Sequence, residues 1–243
     1  MISYLILSIV VLNRVSIGSA EHLVPIFSAI LLGIAIIHFS NRRVLQQQKE
    51  NIFQLLGAFV SLAVVLFHLH KISLGGYNLS EDLPLFLCSF LALIIPVFTY
   101  FRKYWMYEIL LFWIIAGTLQ GVVTPDISEG FPSFDYFRYW IVHLGLLTII
   151  IYATIVLKMR PTLKSVFKSF LTLQVYAVVV MGINYLLDAN YSYLNRKPKS
   201  ASALDYLGEW PYYLLVMEAI LIPFFLLIYL PFYITKKKEI LRN

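Results

Sequence analysis

The chain has 243 residues, 60% of them apolar and only 13% charged, with a formal net charge of +6. A soluble domain of this size cannot cover so much apolar surface with polar groups, so a water-soluble globule is excluded. The basic surplus sits between long apolar runs, not among aromatics on a polar face, which excludes nucleic acid and fits a chain oriented in a lipid bilayer.

Met1 to Leu12 is apolar but short and lacks a basic leader, so residues 1–21 read as an interfacial or packed segment. Seven stretches then have the length and composition of membrane spans: Leu23 to Phe39, Ile52 to Leu69, Leu83 to Tyr100, Tyr104 to Val123, Phe137 to Leu157, Val166 to Leu187, and Pro211 to Ile234. Short connections make successive spans antiparallel neighbours. The expected fold is therefore an all-α polytopic bundle of seven transmembrane helices over residues 22–235, followed by a basic tail over residues 236–243.

Orientation follows from the basic residues. Thirteen of the nineteen Lys and Arg side chains fall on one side of this scheme, among them Arg42, Arg43, Arg102, Lys103, Lys158, Arg160 and Lys236. That side is expected to be cytoplasmic, which puts the N-terminus outside and the C-terminus inside a multi-pass protein of the cell membrane. Trp105, Trp140 and Trp210 fall at span ends, where aromatic rings favour the headgroup zone. The outer loops hold the turn formers and most of the non-basic polar chemistry, so function is expected to face outward.

Polar residues inside a span are costly and point to function. Counted from the outer boundary, Cys88 and His143 lie at similar depth, about 7–9 Å into the third and fifth spans. Gln120 and Asn184 approach the same level, and His22 opens the first span. A thiol becomes a nucleophile when a neighbouring imidazole takes its proton, and Gln120, Asn184 or Asp188 could orient that imidazole. The bland readings stand beside this one: Cys88 as packing, His143 as an interhelical hydrogen-bond donor. Cys88 is the sole cysteine, so no intramolecular disulfide or four-cysteine metal site is possible. His68 and His70 face different directions on a helix and cannot chelate one metal. No metal or other cofactor is expected.

Five strings occur in order: LPLFLC ending at Cys88, GTLQGVVTPD from Gly117, FPSFDYFRYWIVHLG from Phe131, NYSYLNRKP from Asn190, and EWPYYL from Glu209. Together they resemble the YwaF-type family of bacterial integral membrane proteins, whose animal relatives are regarded as acyltransferases acting on glycerophospholipids. The resemblance implies a cysteine thioester mechanism with Cys88 as nucleophile and His143 as base. It departs at Phe86, where the family pattern has histidine. Gln120 is then a candidate oxyanion donor, and His22, Asn184, Asp188, Asn190, Tyr191, Arg196 and Lys197, with Lys199, are candidate contacts to phospholipid. The competing reading is a transporter or receptor that uses Glu218 and His143 to bind a proton or cation.

Overall fold

The computed structural model describes residues 14–198 and 202–242; the Met1 to Leu12 segment and Lys199 lie outside that range. All regular structure among the described residues is helical. The α-helices among the described residues are α1 (Ala20–Arg43), α2 (Gln46–Ser73), α3 (Leu87–Phe101), α4 (Tyr104–Trp113), α5 (Leu119–Val123), α6 (Phe134–Ile155), α7 (Leu163–Leu187) and α8 (Tyr212–Arg242). A π-helical segment, Ile114–Thr118, joins α4 to α5, so that Tyr104–Val123 forms one interrupted span.

Six helical stretches are long and apolar enough to cross a bilayer. The third expected span is not one of them. Helix α3 has only 15 residues, because the chain from Leu83 to Phe86 does not join it. At about 1.5 Å per residue such a helix is roughly 22 Å long, short of a ~30 Å hydrocarbon core. Pro84 lies in the non-helical part, whose backbone is captured by side chains instead: the Leu83 N–H donates to the Tyr191 hydroxyl, and Leu85 O accepts from Tyr176 and Ser192. At the other end, α8 runs unbroken from the last expected span into the basic tail.

Side-chain caps start several helices. Ser19 accepts from the His22 N–H at the head of α1, and Ser133 accepts from the Tyr136 N–H at the head of α6. Helix α6 is the central element, packed by α1, α2, α3, α5 and the π segment. Its inner face contributes Val142, Leu146, Ile149, Ile150 and Tyr152 to a core shared with Phe53, Val60, Leu91 and Phe98. Without a hydrophobic drive between helices in lipid, close contact relies on small residues. Gly145 provides it here: a Cβ at that position would lie 2.4 Å from Val60 Cγ2.

Gly145→Ala should therefore lower the thermal stability of the purified protein, by about 1–3 kcal/mol for an overpacked helix contact. Val60→Ala in the same chain should recover most of that loss, because it removes the methyl group that is struck. Melting in detergent measures both.

Candidate active site

The π segment sets the site. Gly117 lets it approach the start of α3, where a Cβ would come within 2.8 Å of Leu87 Cδ2. The next residue, Thr118, is fully buried, and its Oγ1 receives the Cys88 thiol at 3.9 Å. Three residues on, Gly121 faces His143: a Cβ there would lie 2.6 Å from His143 Nε2. Residues three apart share a helix face, so the thiol and the imidazole meet one strip of the π segment and α5, about one turn apart. No hydrogen bond joins the two directly among the described residues; the sulfur's recorded partner is Thr118.

The geometry also fixes the imidazole. His143 Nδ1 lies 2.8 Å from the Tyr139 carbonyl oxygen, which can only accept, so Nδ1 carries the proton. Nε2 then presents its lone pair toward Gly121. The Tyr139 ring stacks on the imidazole with centroids 4.0 Å apart, and its hydroxyl donates to Gly121 O at 2.8 Å. Tyr139 thus holds both the ring plane and the strand of backbone that the ring faces.

Cys88 is half-buried in the first turn of α3. Phe86, the capping position, offers no side-chain bond to the helix start, so the first amides of α3 remain available as donors beside the sulfur.

Above this point the outer loops form a bonded cap. Asn184, at the end of α7, clasps the Tyr191 backbone by two hydrogen bonds, of 3.0 and 2.8 Å. The Tyr191 hydroxyl reaches across to Leu79 O and the Leu83 N–H. Tyr193 donates to Asp126 Oδ2 at 2.9 Å, and Arg14 pairs with the same carboxylate. Burial and the adjacent Asp126 carboxylate push the Tyr193 hydroxyl well above the usual phenol range, so it stays a neutral donor. Asp82 ties the cap to α2 through Lys71.

The expected site residues therefore divide. Cys88 and His143 come together on one strip. Gln120 does not join them: it is exposed, and its amide is spent on Thr124 one turn along. His22 Nδ1 accepts from the Gly18 N–H and Nε2 lies 2.8 Å from Val122 O, so both ring nitrogens are used in fastening α1 to α5. Asn190 closes its own loop on Asn195 and Arg196, and Asp188 is an exposed left-handed residue at the end of α7. Arg196 is exposed, and Lys197 pairs with Glu209. Sequence reasoning missed Thr118, Gly121 and Tyr139. The signal was present in the GTLQG string, whose glycines bracket a buried threonine.

The Lys71–Asp82 pair makes the cap sensitive to acid. Burial alone would raise the Asp82 carboxyl, but the Lys71 ammonium and the Asn78 N–H outweigh it and hold the pKa below its ordinary value. A depressed carboxyl stabilises the fold fully above its unfolded pKa, and that contribution is lost as pH falls through the lower folded value. Asp82→Asn should thus flatten the stability profile below about pH 4, the ordinary carboxyl range, as read by melting temperature against pH.

The sequence model of the TMEM164 family matches residues 17–229. No curated protein and no solved structure matches the chain. The matched stretch takes in every helix from α1 to most of α8, including Cys88, Thr118 and His143. The chain is a membrane protein and belongs to the TMEM164 family.

Proposed function

We propose that the protein is a phospholipid acyltransferase or transacylase that works through a thioester at Cys88. The observation that carries this reading is the shared strip: a half-buried thiol and an imidazole with a fixed tautomer and a bare Nε2 face Thr118 and Gly121, one turn apart. The resemblance to YwaF-type proteins and their acyltransferase relatives supports the same reading.

The chemistry follows from these positions. The thiol proton passes to His143 Nε2, about one turn along the strip. The sulfur attacks an ester carbonyl, and the carbonyl π electrons shift onto oxygen, where the free amides at the start of α3 stabilise the charge. This role replaces the one expected of Gln120. When the carbonyl re-forms, the acyl C–O bond breaks, and the departing lysolipid oxygen takes the proton from the imidazolium. A hydroxyl of a second lipid then gives its proton to Nε2 and attacks the thioester. The sulfur leaves and is reprotonated through the same route.

The donor is a membrane glycerophospholipid, whose ester reaches this depth by lateral diffusion with its tail already in hydrocarbon. We place the site toward the outer face of the cell membrane, with seven membrane passages, the short α3 and its Leu83–Phe86 shelf completing the third. Glu218 does not favour the transport reading. Its carboxylate accepts from Gln174 Nε2 at 2.8 Å, which gives it a structural partner between α7 and α8.

Purified protein in liposomes should move labelled acyl chains between phospholipids with no coenzyme A present. Cys88→Ala should abolish transfer and His143→Ala should slow it about 100-fold, the usual scale for a lost general base. Gly121→Ala should impair transfer in a folded protein, since its methyl displaces the imidazole. Undiminished transfer by Cys88→Ala would overturn the mechanism, and strict dependence on acyl-coenzyme A would overturn the lipid donor. A reporter fused after Asn243 should read as cytoplasmic; an external signal would reverse the proposed orientation.

A further inference from the structure

Helix α4 carries α7, α3 lies on α2 and α6, and α3 meets α7 through the Phe90 and Tyr176 rings, whose centroids are 5.1 Å apart. A groove of about 370 Å³ lies at this contact. It is lined by Phe90 of α3 and by Thr172, Val175, Tyr176, Val179 and Val180 of α7. Trp113 is the floor, and Leu85 closes the end beneath the cap. The α7 residues are spaced as one helical stripe, and the stretch from Thr172 to Val180 spans about 12 Å.

We propose that this groove holds one acyl chain of the glycerophospholipid whose ester is presented to Cys88, and that it selects which chain is transferred. The proposal rests on the acyl-transfer reading above. Three observations identify the occupant. First, every polar group of the lining turns its polar atoms away. Tyr176 donates to Leu85 O at 2.8 Å, Trp113 Nε1 to Ser169 O at 3.0 Å, and Thr172 to Lys168 O at 2.8 Å. What remains facing the groove is ring face and methyl, which offers nothing to a polar ligand and good contact to a hydrocarbon chain.

Second, the groove opens sideways, not toward water. Val175 and Val179 on its rim are 66% and 55% exposed on the surface that meets lipid. A chain can enter by lateral movement from the bilayer without crossing an aqueous phase. Third, the groove lies at the level of the candidate nucleophile along α3. Leu85, three residues before Cys88, and Phe90, two after it on a different face of the helix, both line the groove. The ester of a lipid whose tail lies in the groove would therefore meet Cys88 around the side of α3, with the headgroup at the level of the cap.

The test uses the full chain in vesicles of defined phosphatidylcholine, comparing palmitoyl or oleoyl donors with hexanoyl donors. Val179→Trp and Val175→Trp each put an indole across the rim at a lipid-facing position, where folding is not at stake. They should lower kcat/KM for the long chains about 10-fold relative to the short one, the scale of pocket discrimination between apolar groups. Leu31→Trp, on the exposed face of α1, should leave the ratio unchanged. An unaltered ratio in both groove variants, with transfer intact, would overturn the groove and leave the acyl-transfer reading standing. Absence of transfer by the wild type would overturn that reading instead, and the groove would then be judged by photolabelling. A phosphatidylcholine carrying a diazirine in its acyl chain should label Phe90 and the 172–180 stretch in excess over α1. Even labelling around the whole lipid belt would mean that no chain is held.

Discussion

Hydrocarbon offers no hydrogen bonds, and each polar group that enters it must find its partner within the protein. This requirement explains most of the side-chain arrangement in the bundle. Trp113 reaches the Ser169 carbonyl, Glu108 takes Ser165 and Lys168, and Gln174 takes Glu218. His22 spends both ring nitrogens on backbone groups, one of them a hundred residues away. The buried atoms left without a partner among the described residues, Ser40 Oγ and Trp140 Nε1, are exceptions to this rule. The Cys88 thiol, held by a single contact of 3.9 Å, is weakly bound beside them.

The same requirement accounts for the cap. Loops at membrane depth are tolerated where protein satisfies their backbone, and tyrosines supply that service here. Tyr176, Tyr191 and Tyr193 each combine an aromatic body packed in the outer core with a hydroxyl bonded to a distant loop. The string from Asn190 thus knits α7, the Leu83–Phe86 shelf and Asp126 into one structure. Its residues serve the site by building its roof.

Much of this was legible in the sequence, and the rest was hidden for identifiable reasons. Apolar length located the helices, since nothing else places twenty apolar residues in water's absence. Depth counting put Cys88 and His143 at one level; in the structure the thiol meets Thr118 and the imidazole faces Gly121. The third span was read four residues too long, because Leu83 and Leu85 look helical in composition while their backbone is bound by tyrosines a hundred residues away. Gln120 was expected at the site, but it is exposed and its amide donates to Thr124. The roles of His22 and Asn184 depend on partner carbonyls, and a backbone carbonyl leaves no trace in a sequence.

The short third helix has a consequence for the bilayer itself. A helix of roughly 22 Å beside a hydrocarbon core of ~30 Å is a case of hydrophobic mismatch, and the lipid yields more easily than the protein. A leaflet that thinned beside α3 would draw the glycerol and headgroup layer inward along that flank. On the acyl-transfer reading proposed above, this would bring lipid esters toward the depth of Cys88.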